Sequence, residues 1–328
     1  MKLGSLKSKQ SLDGELVVVS RDLRKAVRVG HVAASLREAI EHWSEAAPAL
    51  QKVSEQLNAG NDKDSFAVQP QDFHAALPRT WLFADGSAFV HHIKLVRMAR
   101  KAALPETLLT VPLIYQGEAG AFLAPTEDIP QVDFAHGTDF EGEVGVITDF
   151  VPMGISADEA LKKIRLFVLI NDVSLRGLIP EELAMGFGFF QSKPASALSP
   201  LAVTADELGE AWRDGRIHLP LDVNYNGEFF GKANAGAMHF HFGQLIAHAA
   251  RTRNLAAGSV IGSGTVSNED AAMGSSCLAE KRTLEQLQSG TITTPFMKVG
   301  DTVEIKMRTA NGENIFGTIS QKVQAAGR

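Results

Sequence analysis

The sequence predicts a β-rich α+β protein, with a small N-terminal α+β domain over residues 1–75 and a larger domain over residues 76–328. Three observations carry that prediction. Helical periodicity is concentrated in one stretch near the N-terminus, a polar tract follows it, and the chain beyond is mostly strand patterning and turn signals.

Taken in order, GELVVVSRDLRKAVRVG (residues 14–30) reads as two short strands around a turn at Ser20–Asp22. In SLREAIEHWSEAAPALQKVSEQLNAG, Ser35 and Glu38 form a capping-box pattern, and Leu36, Ile40, Trp43, Leu50, Val53 and Leu57 recur near helical spacing. Pro48 is predicted to divide this stretch into two helices and Gly60 to end it. The tract NDKDSFAVQPQDF reads as a linker, which places the domain boundary near residue 75. Further on, LDVNYNGEFFG carries a hairpin signal at Asn226–Gly227, and DTVEIKMRTANGENIFGTI alternates at Val303, Ile305 and Met307 before a turn at Asn311–Gly312. Two helices are predicted here, in SADEALKKIR (capped by Ser156 with Glu159) and over residues 241–254. The irregular segment GSGTVSNEDAAMGSS is long for a connection and points to an active-site loop.

Composition narrows the class. A chain of 328 residues with 45% hydrophobic and 21% charged residues can bury a full core. The net charge of −6 gives no basic footprint for nucleic acid. Cys277 is the only cysteine, which excludes an intrachain disulfide framework and CxxC zinc sites and fits a reducing cytoplasm. No signal-peptide core and no membrane-length apolar run occurs, so a soluble cytoplasmic protein is expected. The sequence has no GxSxG elbow, HExxH or P-loop. GFGFF at 186–190 lacks the third glycine and the strand-to-helix setting of a dinucleotide fingerprint. His239 and His241 read as structural, and Cys277 as a buried, unreactive thiol.

The chemistry lies with the carboxylates. DFEGEVGVITDF (139–150) looks like a half-buried strand, yet Glu141 and Glu143 two residues apart face the same side and repel. Water or a cation must relieve them. LFVLIND ends an apolar run in Asp172, and in WLFADGSAFVHHIKLVRMAR an apolar segment precedes Asp85, with His92 seven residues on. Asp172 could instead cap a turn, Asp85 belong to an Asp–Gly turn and His92 be a satisfied histidine. Taken together, Asp85, Glu141, Glu143 and Asp172 are four hard oxygen donors, which suit Mg²⁺, Ca²⁺ or Mn²⁺ rather than zinc. Arg176 and Lys193 would offset the excess negative charge.

These segments resemble the fumarylacetoacetate hydrolase family over about residues 79–326. The resemblance rests on D-x6-H at Asp85–His92, PLIYQG at 112–117, EGE at 141–143, NDVSLR at 171–176, QSKP around Lys193, GSGTVS at 262–267 and GD at 300–301, in the family's order and spacing. Residues 1–75 look like the small domain of the fumarylacetoacetase branch. The resemblance implies a mixed β-sheet roll, usually dimeric, with Asp85, Glu141, Glu143 and Asp172 holding a divalent cation, Mg²⁺ first and Ca²⁺ or Mn²⁺ otherwise. It implies His92 as general base supported by Glu280, and Arg176 and Lys193 as oxyanion donors. Tyr115, Arg100 (preferred to Arg97) and Thr265 would contact substrate. Where animal members carry a glutamine, this chain has Ile179, with Gln191 as a possible helper to the oxyanion donors.

The implied activity is hydrolysis of the carbon–carbon bond of a β-diketone acid, foremost fumarylacetoacetate to fumarate and acetoacetate in tyrosine and phenylalanine degradation. Related 2-oxo-acid chemistry is the alternative on the same scaffold: acylpyruvate hydrolysis, oxaloacetate decarboxylation, isomerisation or hydration. A non-catalytic, metal-stabilised binding protein is the alternative of another class. The expected partners are a small diketo acid and a second copy of the chain, with no nucleic acid and no membrane.

Overall fold

The computed structural model describes residues 1–99 and 103–327. Two sheets dominate. The larger has eleven strands, in the order Phe66–Ala67, Lys25–Arg28, Glu15–Val19, Lys2–Leu6, Leu201–Val203, Ile164–Asn171, Gly142–Thr148, Val260–Gly262, Phe83–Gly86 and Ile114–Gly117, with Ala197–Leu198 pairing beside Ile164–Asn171. It is mixed: Val260–Gly262 runs parallel to Phe83–Gly86, while the other pairs are antiparallel. The second sheet has five strands, ordered Glu228–Asn234, Pro220–Tyr225, Thr302–Arg308, Asn314–Ala325 and Ile129–Gln131. Seven α-helices occur among the described residues: α1 Leu36–Glu41, α2 Trp43–Asn58, α3 Val90–Ala99, α4 Ala157–Leu161, α5 Ile179–Met185, α6 Phe242–Ala249 and α7 Leu278–Ser289.

The run LFVLI (166–170) is apolar throughout because its strand is covered on both faces. Phe167 and Leu169 enter the core shared with the five-stranded sheet. Leu166, Val168 and Ile170 enter the other core, with Leu36, Ile40 and Leu50 of α1 and α2. The N-terminal strands are continuous with the rest, since Lys2–Leu6 pairs with Leu201–Val203 through Leu3 opposite Ala202.

Several local expectations hold. Ser35 Oγ accepts from the Glu38 N–H at 3.2 Å, and the Glu38 carboxylate reaches back to the Ala34 N–H rather than to that of Ser35. Asn226 and Gly227 both adopt positive φ, the requirement of a two-residue hairpin turn with the right twist. Others are corrected. The helix break falls at His42 (φ −118°, ψ 36°), and Pro48 sits inside α2 on an exposed face, where solvent can reach the carbonyl that the proline leaves without a donor. Part of the polar tract is the edge strand Phe66–Ala67, paired with Lys25–Arg28. Helices are more numerous than the two predicted in the larger domain. α3, α5 and α7 are added; each is short and buries only one or two apolar residues (Ile93 and Leu95 of α3, Ile179 of α5, Leu278 of α7), a pattern weak in a short window.

Candidate active site

Five neighbouring strands of the large sheet bring the acids together. Ile170 stands opposite Glu143, Val260–Gly262 lies on the far side of Glu143's strand, Gly262 is level with Asp85, and Asp85 is level with Tyr115. Asp172 follows directly on Asn171 at the strand end. Gly262 is the gap into which the side chains turn. A Cβ there would stand 2.2 Å from Asp85 Oδ1 and 3.2 Å from Glu143 Oε2. Any larger residue there would push the Asp85 carboxylate out of the cluster.

The result is a buried cluster in which one carboxylate oxygen each from Asp85, Glu143 and Asp172 lies within 4.8 Å of the others. Glu141 does not share that mutual distance. Its Oε1 accepts from Arg176 Nη2 at 2.6 Å and its Oε2 from Lys193 Nζ at 2.7 Å. Arg176 is in turn fixed by Asp139 through Nε at 2.9 Å. Lys193 also donates to Asp172 Oδ2 and, at 2.8 Å, to Ser174 Oγ, which commits all three of its protons. Asp172 further accepts from Tyr115 Oη at 2.7 Å and Ser196 Oγ at 2.6 Å, and Asp85 Oδ1 from the Gly264 N–H at 3.1 Å.

The electrostatics divide accordingly. Burial opposes ionisation of Glu141, but Arg176 and Lys193 outweigh it and hold the carboxyl well below the usual range. Burial, then the charges of Asp85 and Asp172, push Glu143 well above it. Burial and the Asp172 charge do the same to Asp85. Burial would strip the Lys193 proton, yet Asp172 and Glu141 raise its affinity beyond that of a free lysine.

Glu143 decides whether a divalent cation fits. Both its oxygens are buried and accept no hydrogen bond among the described residues, a costly state for a carboxylate. Three convergent hard oxygens with one acid unpartnered form a donor set for Mg²⁺, Mn²⁺ or Ca²⁺. The group fits. Asp85, Glu143 and Asp172 would hold it, and Glu141 already has cations of its own.

Beside the cluster, α3 carries His92 and α7 carries Glu280, and the two helices pack together. His92 Nδ1 lies 3.0 Å from Glu280 Oε2, while Ser267 Oγ donates to Glu280 Oε1 at 3.0 Å. His92 Nε2 faces Glu141 Oε1 at 3.9 Å. A cavity of about 370 Å³ joins these groups. Asp85, His92, Tyr115, Glu141, Arg176, Lys193 and Thr265 line it at the polar end. Ile93, Val96, Leu113, Ile114, Ile179, Leu183 and Phe189 form an apolar wall. Arg97 also lines the cavity, with Nη1 donating to the Ala103 carbonyl at 2.7 Å. Arg100 lies outside the described residues.

Sequence reasoning passed over Asp139, Ser174, Ser196, Gly262 and Ser267. Asp139 had a signal. With Glu141 and Glu143 it forms an i, i+2, i+4 series of acids, and it holds Arg176 together with the first amides of α7, Leu278 N and Ala279 N, at 2.8 and 2.9 Å. The serines carry no spacing that would single them out.

The comparisons with known proteins agree with this architecture. Residues 82–324 match the family described as Fumarylacetoacetate (FAA) hydrolase C-terminal, and residues 1–79 match Fumarylacetoacetase N-terminal domain 2. The chain belongs to the fumarylacetoacetate hydrolase family. A 2,4-didehydro-3-deoxy-L-rhamnonate hydrolase of Sphingomonas sp. (strain SKA58) is 28% identical over 159 residues, 48% of this chain and about half (53%) of that relative. The crystal structure of maleylpyruvate hydrolase from Sphingobium sp. SYK-6 in complex with manganese(II) and pyruvate matches over the whole of both chains at TM-score 0.66 and 14% identity. A 5-carboxymethyl-2-hydroxymuconate delta-isomerase from Mycobacterium smegmatis matches over the whole of both chains at 0.62 and 17%. At these identities the two structures speak for the fold. Among the described residues, no helix is long and apolar enough to cross a membrane.

Proposed function

We propose that this protein is a divalent-cation-dependent hydrolase that cleaves the carbon–carbon bond of a β-diketone acid. The observation that carries this reading is the unpartnered Glu143 beside Asp172 and Asp85, the last of which lines the same cavity as His92. A bound dication would polarise the carbonyl under attack and chelate the neighbouring oxygen of the substrate. The manganese- and pyruvate-bound relative supports a cation in this fold.

The chain's own residues supply the rest. With Nδ1 tied to Glu280, the His92 ring offers Nε2 to the cavity as the base that takes a proton from water. Glu280, steadied by Ser267, fixes the ring orientation and offsets the charge that forms. Arg176 keeps Nη1 free of hydrogen bonds among the described residues and is the donor we assign to the tetrahedral oxyanion. Lys193 has no proton to spare in this arrangement and acts by holding Glu141 and Asp172 in place. Thr265 and Arg97, which both line the cavity, are the residues we assign to a substrate carboxylate.

Fumarylacetoacetate is the first candidate substrate. The apolar wall, to which Ile179 contributes, favours a second within the same class: a 2,4-dioxo acid with an uncharged tail. Chelator-treated protein should be assayed on fumarylacetoacetate and on acylpyruvates of alkyl and carboxylated tails, with and without Mn²⁺ or Mg²⁺, following loss of diketone absorbance. Turnover should require the cation, and His92→Ala should lower it about 10²-fold or more. Full turnover in chelator, or none on any member of the panel with cation, would overturn the reading.

A further inference from the structure

We propose that His92, Cys277 and Glu280 form a second cation site, selective for zinc, whose occupancy shuts off the hydrolase. An imidazole nitrogen, the Cys277 sulfur and a Glu280 oxygen all lie within 4.8 Å of one another. The donors of a tetrahedral zinc stand roughly 3.3–3.8 Å apart, given bonds of about 2.0–2.3 Å, so side-chain adjustments of about 1 Å close the set. The donor types separate this site from its neighbour. One nitrogen, one sulfur and one oxygen are the zinc set, whereas Asp85, Glu143 and Asp172 offer oxygen alone.

The surroundings hold the donors in place. Ser267 fixes Glu280, and the Glu280 N–H points at Cys277 Sγ at 3.4 Å, an interaction a zinc thiolate retains. The positive end of α7 works against a cation here, but its first amides are already taken up by Asp139 and the Cys277 sulfur. Asp139, Glu141 and Glu280 around the sulfur outnumber the single Arg176. Cys277 and Glu280 are buried behind His92, which lines the cavity, so the ion enters past His92 and keeps its fourth position toward that cavity.

Uptake releases the thiol proton to solvent, and a thiolate and a carboxylate then neutralise the dication. The ring gives Nδ1 to the ion and carries its proton on Nε2, where it can no longer accept one from water. The inhibitory consequence rests on the base role proposed for His92; the ion site itself does not.

The test uses the full-length protein in excess Mg²⁺, titrated with Co²⁺ for spectroscopy and Zn²⁺ for turnover. Cys277→Ser removes the sulfur and retains a helix cap, since Cys277 is the N-cap of α7 and serine is a preferred residue there; a melting curve checks its fold. Co²⁺ is expected to give a thiolate charge-transfer band in the wild type and none in Cys277→Ser. One equivalent of Zn²⁺ should lower wild-type turnover at least tenfold, and the variant should need at least tenfold more Zn²⁺ for the same loss, with its basal turnover kept. No wild-type band, inhibition unchanged in the variant, or relief by more Mg²⁺ would overturn the site. A band without loss of turnover would overturn the inhibitory claim and the His92 assignment together. Should no substrate be turned over at all, the band alone decides the site.

Discussion

Glu141 and Glu143 come from one tripeptide, are both buried, and have opposite surroundings. Glu141 meets a guanidinium and an ammonium, one on each oxygen. Glu143 meets two more carboxylates and no hydrogen-bond donor among the described residues. The repulsion legible in EGE is therefore relieved in two ways. The chain brings its own cations to one acid, and on the reading proposed above the other is met by a bound dication. Glu141 is held by two ion pairs, and Glu143 is buried among acids with no donor to either oxygen among the described residues.

The largest expected effect separates the two by activity. Glu143→Gln removes a ligand from the cluster, and a cation contributes several kcal/mol to the transition state, so turnover should fall on the order of 10³-fold. The same variant should not lower the melting temperature in chelator, because it removes a repelled charge, and it should lose the upward shift that Mn²⁺ gives the wild type. A variant that melts lower than wild type in chelator would break the comparison. Glu141→Ala should behave in the reverse manner. It leaves Arg176 and Lys193 short of a buried partner, a defect that costs about 3–5 kcal/mol, measurable by urea unfolding with or without Mn²⁺. Equal stability of Glu141→Ala and wild type would mean that the ion pairs do not hold the site.

A pH series sharpens the same contrast. Burial and the neighbouring acids raise Glu143 above the ordinary carboxylate value of about 4. In chelator the native protein then binds more protons than the unfolded chain between about pH 4 and the raised value. The stability this group confers therefore falls as pH rises through that window. The unfolding free energy of wild type minus that of Glu143→Gln should decline in chelator as pH rises above the ordinary carboxylate range, and saturating Mn²⁺ should reverse that decline. A flat difference would place Glu143 in surroundings no different from solvent.

How much of this was legible in the sequence follows from the same residues. The acids at Asp85, Glu143 and Asp172 end or interrupt apolar strand runs, and period-two alternation shows which face they take. Their convergence, however, depends on Gly262, whose missing side chain is meaningful only once Val260–Gly262 lies between two acid-bearing strands. The choice of Arg176 and Lys193 as cations was open to sequence reasoning, but their pairing was not. Asp139 fixes Arg176 from a neighbouring short strand, and the three protons of Lys193 go to groups from two segments far apart in the chain, Glu141 on one and Asp172 and Ser174 on the other. The His92–Glu280 pair joins helices whose periodicity is too short to read; His92 stood out beside Asp85, but Glu280 and the pairing came from the resemblance to the family. The strands within residues 14–30 were legible, but Lys2–Leu6 and its edge-on union with Leu201–Val203 were not, since register between distant strands is set by packing.

The smallest expected effect belongs to Tyr115. Its one proton goes to Asp172 Oδ2 at 2.7 Å, while its ring packs edge-on against Phe189 at 5.3 Å between centroids. Tyr115→Phe keeps the ring and removes one of the donors to Asp172, leaving Lys193 and Ser196. One hydrogen bond in such a network contributes about 0.5–1.5 kcal/mol, so the dissociation constant for Mn²⁺, read by calorimetry, should rise less than about tenfold. A rise of that size with KM unchanged would make Tyr115 a positioning residue for the acid cluster. If KM rises while Mn²⁺ affinity holds, the hydroxyl oxygen meets the substrate, and the division between acids served by the chain and acids left for the ion would then need no help from Tyr115.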